Sequence, residues 1–158
     1  MSAMSLRKKI ARATRHSRAQ LSLGIGQLRP EVRERIPAAR DALQLEAEGE
    51  AAALLIPLIR RPETAELVRT LFSAHADAFH SAVDKLTSAE PEQAIWAAEM
   101  AWFLKKIPAH AYGLMARLRV AGRYDEAVVI MNEAVALFPR DPARLIHSAL
   151  LNADRNEG

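Results

Sequence analysis

Two alanines seven residues apart, Ala127 and Ala134, lie in the stretch GRYDEAVVIMNEAVALFP at 122–139, between a glycine and a proline. On a helix seven residues make about two turns, so both methyl groups fall on one face. A face without bulk lets a neighbouring helix approach more closely than leucine would. Gly122 takes the backbone angles of a helix stop, Tyr124 can fill the space beside the contact, and Pro139 ends the helix. The pattern occurs twice, because EQAI with Ala94 and Ala101 precedes DEAV with Ala127 and Ala134 by 33 residues. A chain built this way folds by laying helix against helix, more than once.

The rest of the chain agrees with helices. Phe72, Ala76, Phe79, Val83 and Leu86 recur at steps of four and three, which predicts one amphipathic helix over 63–87. Pro91 suits a first helical position, where the missing N–H costs nothing, and predicts a helix from 91 to about 107, before Pro108. PAHAYGLMARLRVAG gives another ended by Gly122, YDEAVVIMNEAVALF gives one ended by Pro139, and Asp141 with Pro142 starts a last one. After Pro30 a further helical stretch is expected, in which Pro37 starts or kinks a helix and Gly49 and Pro57 limit its continuation. No segment alternates as a half-buried strand would. The expected fold is all-α, with short connections that set neighbouring helices antiparallel.

Several classes of chemistry are closed. The chain has no cysteine, which removes disulfides, zinc thiolate sites and a cysteine nucleophile. Its longest apolar run, AAALLIPLI at 51–59, is interrupted by Pro57 and is half the length that a membrane helix needs. The net charge of +3 divides into a head, residues 1–40, at +8 and a body at −5. That asymmetry can mark a contact with anionic membrane or nucleic acid, although the head lacks the interleaved aromatics of base stacking. Residues 1–28 read as a basic helix and linker ending at Gly24 and Gly26, similar in composition to an organellar transit peptide but explained more simply as a solvated helix.

The stretch 108–139 resembles a tetratricopeptide repeat (TPR), a helical hairpin of about 34 residues with small residues at its crossing and a terminal proline. Leu114 matches the early apolar residue of the family's first helix, Gly122 the turn, Tyr124 the aromatic after it, Ala127 and Ala134 the paired small residues, and Pro139 the terminator. Met115 and Leu118 depart from the pattern. The resemblance implies an all-α fold of antiparallel helical hairpins stacked as a short TPR-like α-solenoid, preceded by the basic N-terminal helical segment. Residues 29–62 would pack on the repeats, which would divide into 63–107, 108–140 and a partial 141–158.

Such stacks present a concave surface from their first helices. Matched onto this chain, the partner-facing residues are Phe79, Tyr112, Ala116 and Arg119, with Tyr112 stacking and Arg119 pairing with an acidic group. The function expected is a non-catalytic protein–protein interaction scaffold for a protein or peptide partner. The alternative is the helical, substrate-holding N-terminal region of a larger bacterial enzyme such as a transferase. An unpaired last helix would leave an open end through which copies can associate. No catalytic signature stands in the sequence, LGIGQL lacks what a phosphate loop needs, and Asp77, His80 and Asp84 on one helix face read as a solvated surface. Neither cofactor nor metal is expected, and the expected setting is cytoplasmic. Trp96, Met100 and Phe103 form a core stripe, while Trp102 points elsewhere and would anchor a partner if exposed.

Overall fold

A computed structural model of the chain describes residues 29–157, and every regular element within them is helical. The basic head assigned to 1–28, with Gly24 and Gly26, lies outside the described residues. The helices are α1 (Pro30–Gln44), α2 (Glu48–Ile59), α3 (Pro62–Phe72), α4 (Ala76–Ala89), α5 (Pro91–Leu104), α6 (Pro108–Val120), α7 (Tyr124–Leu137) and α8 (Ala143–Glu157). Two units divide the chain, residues 1–37 and 38–158. Residues 29–37 of the first form the opening turns of α1, with Pro37 inside the helix. The second holds the remainder of α1 and α2–α8.

Prolines open α3, α5 and α6, where their missing N–H leaves no hydrogen bond unmade. At the end of α6, Gly122 takes φ 74°; its N–H reaches the Arg119 carbonyl at 3.0 Å, and the Arg123 N–H reaches that of Leu118 at 2.9 Å. This closes the last turn as a left-handed cap, so α7 can fold back at once.

The core of the second unit is built around α5. Ala94, Ile95, Ala97, Ala98, Met100, Ala101 and Trp102 of this helix are all buried, beneath α4, α2 and α6. Alanine on most sides lets three helices close on a fourth. Gly49 of α2 belongs to the same contact, since a methyl there would collide with the Gln93 side chain and meet Leu86 at 2.9 Å. Gly49 and Pro57 both lie within α2 and do not bound it.

Alternate helices run in the same direction. His80 of α4 meets His110 of α6 at 4.9 Å between ring centroids, and seven residues further along both helices Arg117 donates to Thr87 Oγ1 at 3.1 Å. Arg123, just before α7, pairs with Glu92 of α5 at 3.4 Å, and ten residues further on Trp102 Nε1–H donates to Glu133 at 3.0 Å. Tyr112 of α6 stacks on His147 of α8, and seven residues further on Arg119 pairs with Asp154. Equal steps along both members of each pair require parallel axes.

The single helix expected over 63–87 is a correction. A 3-10 turn at Ser73–His75 separates α3 from α4. No glycine or proline marks the break. It is tertiary in origin: α3 packs on α2, whereas α4 packs chiefly on α5, so one straight axis cannot serve both. Phe72, Ala76, Phe79 and Val83 are nonetheless all buried, because the short turn keeps the apolar stripe inward.

The alanine pair, Ala127 and Ala134, makes the contact of α7. Ala127 and Ala134 are 0% and 2% exposed and are the buried residues of that helix, which packs chiefly on α6. Replacing either by leucine should cost about 1–3 kcal/mol through overpacking. Ala136→Leu, on the exposed side of α7, should stay within about 0.5 kcal/mol of the parent in urea denaturation. Equal costs at all three positions would place the tight contact elsewhere.

Candidate functional site

Steps of four and three put Tyr112, Ala116 and Arg119 on one face of α6. Sequence reasoning expected Tyr112 to stack on a partner and Arg119 to pair with a partner's acidic group; in the structure each meets a group of this chain instead. Tyr112 lies flat on His147, with ring centroids 4.3 Å apart and planes 10° from parallel, and its hydroxyl donates to Asp141 Oδ2 at 2.9 Å. Arg119 Nε sits 3.3 Å from Asp154 Oδ2. Ala116, between them, is half-buried. Phe79 belongs elsewhere: it is 0% exposed, so it fills the core and offers a partner no surface.

Residues of α8 therefore occupy this face. His147, Leu151 and Asp154 repeat the spacing of four and three, and Leu151 is 1% exposed. Asp141 also caps the helix, its Oδ1 accepting the Ala143 N–H at 3.1 Å while its other oxygen takes the tyrosine proton. Burial first, and then the bond to Asp141, raise the Tyr112 hydroxyl to about 12, so it remains a donor throughout the physiological range. Leu145, Ile146 and Leu150 point away from the seat, 65%, 64% and 41% exposed. The seat of α8 on α6 is thus one ring stack and partly solvated polar contacts beside buried Leu151, and α8 also packs on α7. An ion pair of that exposure contributes about 0.2–1 kcal/mol.

A second concavity, of about 340 Å³, lies where α5, α6 and α7 meet the end of α2. Trp102, Phe103, Leu114, Leu118, Val129 and Ile130 supply its apolar lining. Charges crowd the rim. Arg60 pairs with Glu99 at 3.3 Å, Arg123 with Glu126 and Glu92, and the Lys106 ammonium sits 4.2 Å above the Trp102 ring. Desolvation lowers the Lys106 pKa, Glu133 opposing and Arg69 adding to the effect. The Arg123 hydrogen bond holds Glu126 below the usual carboxylate range. The cavity suits an apolar group. Trp102, considered as an exposed anchor, is 3% exposed and forms the cavity wall, whereas Trp96 and Phe103 of the expected core stripe are half-buried beside buried Met100.

No family model, curated protein or solved structure matches this chain. Among the described residues, no three of His, Asp and Glu are placed to hold a metal ion, and no helix is long and apolar enough to cross a membrane. Asp77 turns from His80 to other groups, with Lys105 Nζ at 3.5 Å and His110 Nε2 at 3.4 Å. Buried His110 uses Nδ1–H on the Lys105 carbonyl at 2.9 Å, which fastens the α5–α6 connection.

His147, Asp141 and Asp154 were missed as site residues by sequence reasoning. Their shared face was already legible in the spacing of 147, 151 and 154, and the apolar side chains at 145, 146 and 150 drew attention to the opposite face.

His147 makes the seat sensitive to acid. Burial, and then the Arg119 guanidinium, lower its pKa from the ordinary histidine value, with Asp141 partly offsetting them. A base lowered in this way binds fewer protons in the folded state, so its contact is fully present above the ordinary histidine range and weakens as pH falls through it. Hydrogen-exchange protection of α8, corrected for intrinsic rates, should fall between about pH 7.5 and 5, relative to α5. His147→Phe should remove the trend. Protection of α8 that is flat with pH in the parent chain would contradict this assignment.

Proposed function

We propose that the chain is a TPR-like, non-catalytic protein–protein interaction scaffold in which successive helical hairpins are stacked with a common direction. The observation that carries this reading is the equal stepping of contacts between α4 and α6, α5 and α7, and α6 and α8. Antiparallel neighbours make every second helix parallel in an up-and-down bundle as well. What favours a hairpin repeated by translation is that alternate helices also touch one another, at equal steps, in three successive pairs. The buried alanine pair of α7 and the left-handed cap at Gly122 fit the same repeat, and they are the residues on which the TPR resemblance rests.

Function then follows from surface. A stack of hairpins offers side chains of its first helices, here α4, α6 and α8, and on α6 Tyr112, Ala116 and Arg119 form a strip that α8 covers and that a partner reaches when α8 is displaced. Aromatic and arginine side chains flanking a small residue make a good recognition strip: the ring and the guanidinium provide contact and direction, and the alanine leaves room. The partner is a protein segment, and no reaction is assigned to the chain.

A photo-crosslinking amino acid at position 116, introduced into the full chain in its native cell, tests this directly. The expected result is a discrete protein adduct, identified by mass spectrometry, which Arg119→Glu diminishes at least fivefold and which is missing when the crosslinker stands at exposed Ala74. Crosslinks that are equally diffuse at 74 and 116 would contradict a recognition strip on α6.

A further inference from the structure

The last helix gives the recognition strip a template for its ligand. α8 lies along α6 in parallel register and engages it through Asp141, His147, Leu151 and Asp154: a capping carboxylate, a flat ring six residues on, a leucine one turn later, and a carboxylate three residues after that. The two carboxylates and the ring meet matching features, and Leu151 is buried between His147 and Asp154 in the spacing. The Tyr112 hydroxyl takes the cap, its ring takes the imidazole, and Arg119 takes the second carboxylate. Arg119, in the last turn of α6, makes that end of the strip cationic. It favours an acidic C-terminal half in whatever helix lies there.

We propose that this face of α6 is a receptor for a parallel helix, that α8 is its built-in occupant, and that the ligand it fits is a helix of another protein carrying the pattern Asp-x5-ring-x3-Leu-x2-acid. The proposal rests on the scaffold reading and names the partner class of the same site. α8 is suited to displacement because its hold is slight. Leu151 alone among its side chains is fully buried, and its larger apolar residues Leu145, Ile146 and Leu150 face outward. Segments with so few enclosed contacts open at far lower free energy than the core around α5. The tether is short, since α7 ends at Leu137 and α8 begins at Ala143, so α8 competes at high effective concentration. A foreign helix must therefore bring something more, such as a better ring than imidazole against Tyr112. A second copy of this chain cannot, because exchanging one α8 for an identical one adds no contact at this face.

The test uses the full chain and a fluorescein-labelled synthetic peptide with the sequence of residues 139–157, read by fluorescence anisotropy. The parent chain should bind it weakly, its strip being occupied. Asp154→Lys, at a half-buried position where it sets like charges against Arg119, should loosen the chain's own α8 and raise peptide affinity at least tenfold. Leu151→Ser should do the same by a different route, with circular dichroism and α5 exchange protection reporting that the core is intact. Arg119→Glu with Asp154 retained also sets like charges together and loosens the chain's own α8, yet that chain should reject the parent peptide and bind in its place a peptide with the change D154K.

Peptide affinity that stays unchanged when exchange shows α8 released, or that ignores Arg119→Glu, overturns the receptor. A stable α8-swapped dimer of the Asp154→Lys chain overturns the assignment to a foreign protein. Failure of the peptide experiment with crosslinks from position 116 retained would sink this inference alone. Loss of those crosslinks would sink the scaffold reading beneath it.

Discussion

Everything in the second unit depends on how closely helices can approach α5. Its four buried alanines, with Gly49 across the contact, shorten the distance at which α2, α4 and α6 meet it. Close approach brings many weak dispersion contacts into range at once, and interiors packed this way respond to a single added methylene. The same device reappears at smaller scale in α7, where two alanines make the buried contact and the larger apolar residues remain on the outside. Small side chains determine the architecture here, and large ones fill the spaces that it leaves.

From that constraint the working surface follows. Once α5 is enclosed, α4 and α6 are held side by side in parallel register, and the side of α6 turned from the core is left to be covered by whatever comes next. In this chain α8 comes next. A helix that is parallel to its neighbour presents its side chains in matching order, so Tyr112 and Arg119 of α6 meet His147 and Asp154 of α8 without any reversal. That order underlies the proposal that the strip reads a helical segment.

Much of this was legible in the sequence, and the exceptions have physical causes. Helices after residue 90 were correctly bounded by Pro91, Pro108, Gly122 and Pro139, because proline and glycine act locally on backbone angles. The break at Ser73–His75 was not, since it arises from the different directions in which α2 and α5 draw the chain. Gly49 and Pro57 misled in the other direction: a glycine chosen for close approach and a proline near the end of a helix look like boundaries from sequence alone. At the site, residue type pointed to stacking at Tyr112 and an acid at Arg119, but both were assigned to a partner. That both would come from α8 was not readable, because a contact between helices some 35 residues apart leaves no signature in either segment. Phe79 failed for a related reason: an aromatic on an amphipathic stripe fills the core unless the stripe has been left uncovered.

Parallel direction of α6 and α8 is the claim from which both the stack and its recognition strip derive, and a distance measurement addresses it without reference to any partner. The chain has no native cysteine, so spin labels can be placed singly at exposed Ala109 near the start of α6 and at either Pro142 or Asn156, before the start and near the end of α8. With a rise of about 1.5 Å per residue, parallel helices require the 109–142 separation measured by pulsed electron resonance to be shorter than the 109–156 separation by roughly 10 Å or more. The opposite order would mean an antiparallel pair, and with it neither a translational stack nor a strip read by a parallel helix.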